Sequence, residues 1–304
     1  MELLPVWQEF LFLTMSHPVF NQLSKIYLLF RVWSLDVVLG TLMVGAFIVK
    51  LLDVSPTPWW WLILASTVWI IYTTDHLLDG YKGKNRQAVI YRHNYHFKHK
   101  MVLFILMIVL SGITLGIGIT FLHSEIVMKG ILLFAVILLY FLIVHFIQKQ
   151  NHFFNQKELL IALAYIAGIT LAPMVWSNNP LTTHQIITMI VLVLLAWTEG
   201  VLASWFDYEN DQHDGHSSFT TTFGKNNTRY FLIALHIIIF LLLKVNIFFT
   251  DNWIQFGSII IEAFMNLGLL LMLLNPRIME KNERYRIFGE MIFWLPGFII
   301  LLGN

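Results

Sequence analysis

Long apolar stretches, each close to the length needed to cross a bilayer, dominate the pattern of this chain. Nine stretches of roughly 20 mainly apolar residues alternate with short polar segments, and they predict nine membrane-spanning helices. We therefore expect an all-α integral membrane protein, with one bundle of helices around a central cavity. The predicted spans are 36–53, 59–80, 101–121, 125–147, 158–177, 183–206, 229–250, 253–274 and 285–302.

The first 35 residues differ from the spans that follow. They are apolar, but His17-Pro18 interrupts them and charged residues are scattered among them. This pattern favours an amphipathic helix at the membrane interface over a tenth span. The expected organisation is an interfacial segment over 1–35 and a nine-helix membrane domain over 36–304.

Composition agrees with a membrane protein and excludes several kinds of chemistry. Of 304 residues, 58% are hydrophobic and 12% are charged, whereas soluble domains carry about 25% charged residues. The chain has no cysteine, so thiol catalysis and zinc–thiolate sites are excluded. A net charge of +1 gives no reason to expect a nucleic-acid partner.

The basic residues predict how the spans are oriented. Sixteen of the 19 lysines and arginines lie in the leader or in the loops after even-numbered spans. Positively charged loops stay in the cytoplasm. The amino terminus should therefore be cytoplasmic and the carboxyl terminus outside, in what we expect to be a bacterial cytoplasmic membrane.

Two acidic motifs stand at the ends of spans two and six, on the same predicted side. The first reads YTTDHLLDGYKG and contains Asp75 and Asp79; the second reads WFDYENDQHDGHSSFTTTFGK and contains Asp207 and Asp211. Carboxylates one helical turn apart repel each other, and more so at the carboxyl end of a helix. A divalent cation would reverse that interaction, and all-oxygen ligands suit Mg²⁺. The alternative is that these acids are solvated helix ends.

These motifs resemble the two aspartate-rich motifs of the UbiA superfamily of intramembrane prenyltransferases. The resemblance implies nine helices, both motifs on the cytoplasmic side, and a prenyl diphosphate held through Mg²⁺. It also implies transfer of the prenyl group to an apolar, often aromatic, acceptor. Asp75, Asp79, Asp207 and Asp211 would be the metal ligands.

One departure from the family pattern concerns the first motif. The family usually has Asn-Asp where this chain has Ile71 and Tyr72. The site therefore lacks an amide and a carboxylate. Asp214 and Glu209 are candidates to compensate, although a loop charge is the favoured role of Glu209. The ring of Tyr72 is a candidate for shielding an allylic cation.

Basic residues near the motifs are candidates for binding the diphosphate. Lys82 and Arg86 follow the first motif, although a basic cytoplasmic loop is expected at that place in any case. The resemblance implies a further basic residue at the end of span four, where Lys149 stands. His145 lies one turn before Lys149 and is either part of the site or an interfacial polar residue.

Glu199 is the deepest acidic candidate. It lies inside span six, two turns before Asp207, so both point to roughly the same side. A carboxylate at that depth usually marks a cavity, and it could take a proton from the acceptor. The alternative is a structural acid hydrogen-bonded between helices, the role also expected for Glu262 and Glu290, with Lys244 as a possible partner.

The function indicated is that of a Mg²⁺-dependent prenyltransferase in the membrane. Its partners would be a prenyl diphosphate donor, a hydrophobic acceptor and membrane lipid. Two alternatives stay open: a terpene cyclase with the same scaffold, or a non-catalytic protein that binds or transports an isoprenoid.

Overall fold

The described part of the chain is built from helices. The computed structural model describes residues 30–82, 95, 98–147, 157–177, 179–214 and 217–302, and no strand occurs among them. The α-helices are α1 (Leu35–Leu51), α2 (Pro58–Lys82), α3 (Lys100–Phe121), α4 (Ser124–Ile147), α5 (Lys157–Trp176), α6 (Thr183–Phe206), α7 (Tyr208–Asp214), α8 (Phe219–Phe223), α9 (Lys225–Ile247), α10 (Trp253–Leu274), α11 (Pro276–Glu280) and α12 (Arg284–Ile292). Two 3₁₀ segments, Lys281–Glu283 and Leu295–Leu302, lie on either side of α12.

Six segments in the described ranges are long and apolar enough to cross a membrane. They are α3, α5, α6, α9, α10 and the stretch Pro276–Leu302. The prediction of an all-α membrane protein is therefore confirmed. The count of nine spans stays a prediction, although α1, α2 and α4 occupy the other three predicted stretches. The predicted interfacial helix also stays a prediction, because residues 1–29 lie outside the described part.

The described residues form two compact units. One unit lies within Met1–Leu42 and Thr57–Leu122, and the other lies within Met43–Pro56 and His123–Asn304. The first acidic motif belongs to the first unit, and the second motif belongs to the second unit.

In the first unit, α2 and α3 pack in antiparallel directions. The Trp59 ring stacks on Phe121 with centroids 4.3 Å apart. Farther along both helices, Thr74 Oγ1 lies 4.0 Å from Met107 Sδ. Leu103 is the buried residue of α3, whose other side chains are mostly apolar and exposed. Such an apolar outer face is suited to lipid rather than water.

In the second unit, α6 is the central helix. It packs against α5, α9, α10 and α12. Hydrocarbon tails are as apolar as leucine, so close packing and polar contacts hold such helices together. The largest fully buried side chains at these contacts are Leu192, Leu195 and Leu202 on α6, Leu232 and Ile239 on α9, and Met265, Leu269 and Leu273 on α10.

The last predicted span, 285–302, is not one continuous α-helix. Asn282 and Glu283 have left-handed φ angles of 57° and 52°, which interrupt the chain just before α12. α12 ends at Ile292, and the chain then continues as the 3₁₀ segment that contains Pro296. Proline has no N–H to donate and disfavours an α-helical conformation in the residue before it. An apolar run alone does not reveal such interruptions.

A methyl group added at Gly297 should destabilise the second unit. The added Cβ would lie 2.2 Å from Met43 Sδ, so either the Met43 side chain or the backbone at residue 297 must move. Overpacking of this kind costs about 1–3 kcal/mol. Gly168→Ala is the matched control, because a Cβ at Gly168 meets no atom within 4 Å. In detergent, Gly297→Ala should melt at a lower temperature than Gly168→Ala, and equal midpoints would contradict this contact.

Candidate functional site

The second acidic motif begins where α6 ends. Asp207 is the C-cap residue of α6, and α7 starts at the next residue. The Asp211 N–H donates to the Asp207 carbonyl oxygen at 2.8 Å. The two aspartates are therefore one helical turn apart in the structure, as their spacing predicts. The side chain of Asp214, at the end of α7, lies outside the described residues.

Asp207 is the centre of a charged cluster that joins α6 to α12. Arg286 Nη2 donates to both carboxylate oxygens of Asp207, each at 2.9 Å. The Tyr285 hydroxyl donates to Asp207 Oδ1 at 2.5 Å, and Arg286 Nε donates to that hydroxyl oxygen at 3.1 Å. The side chain of Asp207 is 16% exposed and that of Arg286 is 25% exposed. Partial shielding from water makes such an ion pair stronger than a solvated one.

Glu199 is the second acid of this cluster. A Cβ built on Gly289 of α12 would lie 2.9 Å from Glu199 Oε1, so the absent side chain makes room for this carboxyl group. The charges of Glu290, Arg286 and Asp207 all act on Glu199. The second unit thus brings Glu199 and Asp207 together beside one arginine.

Glu158 holds the segment that follows the second motif. This buried acid, at the start of α5, accepts a hydrogen bond at 2.9 Å from the backbone N–H of Phe219, the first residue of α8. Its Cβ lies 3.5 Å from the position of a Cβ on Gly200, so α5 approaches α6 closely here. Gly224, with φ of 82°, then turns the chain from α8 into α9, a conformation that favours glycine. Together these contacts fix the path of residues 217–224.

The first motif lies on α2 in the first unit. Asp75 is exposed, and the Tyr72 and His76 rings meet edge-on with centroids 6.4 Å apart. That the first motif lies close to the second one stays a prediction. Several candidate side chains lie outside the described residues: Asp79, Lys82, Arg86, His145 and Lys149.

The described side chains do not by themselves form a metal centre. In the described ranges, no three Asp, Glu or His residues are gathered closely enough to hold an ion. Asp207 nevertheless keeps some capacity, because a carboxylate offers about four acceptor positions. Tyr285 and Arg286 occupy three of them, which leaves one at Oδ2.

An aromatic hollow lies on another side of α6. Its walls are Trp197, Phe219, Phe223, Asn227 and Phe231, from α6, α8 and α9, and its volume is about 270 Å³. Pockets for small molecules usually measure roughly 300–1,000 Å³. The hollow shares none of its lining residues with the charged cluster and is small for a prenyl diphosphate.

No protein-family model, curated protein or solved structure matches this chain. The class of protein therefore rests on its own residues: an α-helical membrane protein with a charged cluster at the end of its central helix.

Sequence reasoning missed three residues around the second motif. In the sequence, Arg286 is only one of the basic residues that predict the orientation of the spans. Tyr285 is only the first residue of the last predicted span. Their contacts with Asp207 join residues 78 and 79 positions apart, a distance that no local spacing reveals. Glu158, at the edge of span five, gives one usable signal, since acids within spans usually serve a purpose.

The Arg286–Asp207 pair should be measurable as a coupling energy. Arg286→Gln leaves a part-buried carboxylate without its cation, and hydrogen bonds to charged groups contribute about 1.5–3 kcal/mol. A double-mutant cycle with Asp207→Asn, followed by thermal unfolding, should give a coupling of about 1–3 kcal/mol. Arg277→Gln, at an exposed arginine, is the control and should show no coupling with Asp207→Asn. Additive effects of Arg286→Gln and Asp207→Asn would argue against the pair.

Proposed function

We propose that this protein is an intramembrane enzyme of the UbiA type. It would use Mg²⁺ to transfer a prenyl group from a prenyl diphosphate to an apolar acceptor, aromatic acceptors included. One observation carries the proposal: an aspartate of the second motif, an arginine and a glutamate are gathered at one end of the central helix. Apolar helices that carry such a cluster suit a substrate with a charged head and an apolar tail.

Arg286 is well suited to the diphosphate head. A guanidinium group presents several donors in a plane, which match phosphate oxygens. In the proposed complex, Lys82, Arg86 and Lys149 would add positive charge.

The donor types fit Mg²⁺, which prefers carboxylate and phosphate oxygens. Asp75, Asp79, Asp207 and Asp211 would hold the ion together with the substrate. Asp207 would contribute through Oδ2, its open acceptor position. When bound, the ion would neutralise charge that develops on the departing diphosphate.

The reaction breaks the bond between the allylic carbon and the diphosphate oxygen, and the electron pair leaves with the diphosphate. The acceptor then forms a new carbon–carbon bond and loses a proton, which Glu199 is proposed to take. Tyr72 would shield the cation with its ring. The apolar helices would exclude water, which could otherwise capture the cation.

The distribution of basic residues supports an orientation for this enzyme. In the proposal, the amino terminus and both acidic motifs face the cytoplasm, and the carboxyl terminus lies on the other side of a bacterial cytoplasmic membrane. The diphosphate head would then bind at the cytoplasmic surface while the prenyl chain stays in the membrane.

Magnesium-dependent release of pyrophosphate from a prenyl diphosphate is the activity that tests this proposal. Asp207→Asn and Asp79→Asn should each lower the rate by about 10²-fold or more, the scale expected when a group that stabilises the transition state is lost. Pyrophosphate release by purified protein in detergent, with and without Mg²⁺, measures this. Full activity in either variant would remove that aspartate from the site.

Two controls separate loss of function from loss of fold. Glu209→Gln changes an exposed acid on α7 and should leave the rate unchanged. Thermal unfolding shows whether Asp207→Asn, which loses the Arg286 contact, is still folded. Mass spectrometry of products, with and without a quinone-precursor acceptor, distinguishes transfer from cyclisation.

A further inference from the structure

A second set of polar side chains lies in the interior of the second unit, away from the charged cluster. Ser258, Glu262 and Asn266 follow each other at four-residue intervals on α10, and all three are fully buried. This interval places them on one face of the helix, about 6 Å apart along its axis. Polar groups inside apolar helices are expensive unless they are paired.

Histidines from two neighbouring helices hold the outer members of this set. Ser258 Oγ donates to the Gln255 carbonyl oxygen at 2.7 Å, so it accepts from His184 Nε2 of α6 at 3.2 Å. Asn266 Nδ2 donates to the His236 carbonyl oxygen at 3.3 Å, so its Oδ1 accepts from His236 Nδ1 of α9 at 2.7 Å. These bonds assign the N–H of each neutral ring. Nδ1 of His184 and Nε2 of His236 are therefore acceptors.

Glu262 lies between Ser258 and Asn266 on this face, but no histidine or other described side chain forms a hydrogen bond with it. Its side chain is fully buried, and neither carboxylate oxygen has a hydrogen-bond partner in the described part of the second unit. The sequence suggests Lys244 as a partner of either Glu262 or Glu290. Lys244, on α9, is exposed and is therefore not the partner of Glu262. This acid has neither a cation nor a donor.

The titratable groups of the surrounding helices do not change this picture. The rings of His184 on α6 and His236 on α9 contact Ser258 and Asn266, and no described hydrogen bond joins either ring to Glu262. The 3₁₀ segment Leu295–Leu302 packs on α10 and carries no titratable residue. α11 carries Arg277 and Glu280, which are exposed. The titratable residues of α12 are Arg284, Tyr285, Arg286 and Glu290. The last three of these belong to the Asp207 cluster described above.

Several acceptors on α6, α9 and α10 have no hydrogen-bond partner among the described residues. They are both oxygens of Glu262, Nδ1 of His184, Nε2 of His236 and Oδ1 of Asn246, whose Nδ2 already donates to Thr188 Oγ1 at 3.0 Å. His184 Nδ1 and Asn246 lie beside each other without a well-formed hydrogen bond. A fully buried carboxylate with neither a donor nor a cation is strongly unfavourable, and a proton on Glu262 would remove its charge. The ligand that this region lacks is therefore a proton.

We propose that Glu262 is the centre of a buried proton-binding site, and that protons reach it through His184. His184 is the second residue of α6, and the exposed Asp251, just before α10, acts on its ring. Asn246 and Ser258 lie close to the ends of α9 and α10 at this same edge of the unit. His236 is in the middle of α9, eleven residues from either end, and therefore far from this edge.

In this route, one proton enters at His184 and one proton arrives at Glu262. His184 takes a proton at Nδ1, where Asn246 Oδ1 accepts the new N–H. The ring then releases its other proton from Nε2 to Ser258 Oγ, and the hydroxyl passes its own proton to the Glu262 carboxylate. One N–H bond forms and one breaks, one O–H bond of serine is exchanged, and the carboxylate becomes a neutral acid. This site does not depend on prenyl transfer.

Infrared spectroscopy of the full chain in detergent tests the proton on Glu262. The wild type should show the carbonyl band of a protonated carboxyl group at neutral pH, and Glu262→Gln should lower that band by the share of one carboxyl group. Glu125→Gln is the matched control, since Glu125 is 50% exposed and paired with Lys129, and it should keep the band. Absence of the band in the wild type, or an undiminished band in Glu262→Gln, would overturn the proposal.

Transfer into D₂O tests the route. The carboxyl band shifts when its proton is replaced by deuterium, so its rate of shift measures access to water. His184→Gln keeps a donor for Ser258 but cannot relay a proton, and should slow the shift at least about tenfold, equivalent to a barrier about 1.4 kcal/mol higher. His236→Gln, the matched control, should leave the rate unchanged. An unchanged rate in His184→Gln, with its thermal midpoint retained, would overturn the route; if this variant does not fold, Asn246→Ala should slow the shift instead.

Discussion

Polar side chains carried by apolar helices must find their partners inside the protein, because hydrocarbon offers none. The second unit meets this constraint in two ways. At the carboxyl end of α6, Asp207 has a cation and a hydroxyl donor within 3 Å. In the interior, Glu262 has neither a cation nor a donor in the described part of this unit. The first arrangement is stable with the carboxylate charged, whereas the second favours a neutral acid.

Helix α6 links both arrangements, because it carries His184 near one end and Asp207 at the other. Its apolar contacts with α9 and α10 set the positions of the interior polar groups. The Arg286 contact sets the position of α12 against its other end. The same ion pair therefore brings Gly289 of α12 next to Glu199, where the missing side chain leaves room for the Glu199 carboxyl group. The apolar core and the charged cluster are therefore not independent.

Much of the fold follows from the length of each apolar run. The predicted spans 183–206 and 253–274 have the same bounds as α6 and α10. The run 285–302 lies in a segment that is long and apolar enough to cross a membrane, but it is not one continuous α-helix. α12 ends at Ile292 and a 3₁₀ segment with Pro296 follows, an interruption that hydropathy does not show. The site is less predictable. Spacing places Asp207 and Asp211 correctly relative to each other, but it cannot show a contact with Arg286, 79 residues later.

The Arg286–Asp207 pair also constrains how the proposed substrate would bind. In that proposal, a divalent ion at the open position of Asp207 would stand next to the guanidinium, and the two positive charges would repel each other. A guanidinium displaced into a partly buried place must find another anion, because an unpaired buried charge is strongly unfavourable. The diphosphate is an anion that would arrive together with the ion. Metal and diphosphate should therefore bind together, because Asp207 would then serve the ion while Arg286 serves the phosphate oxygens.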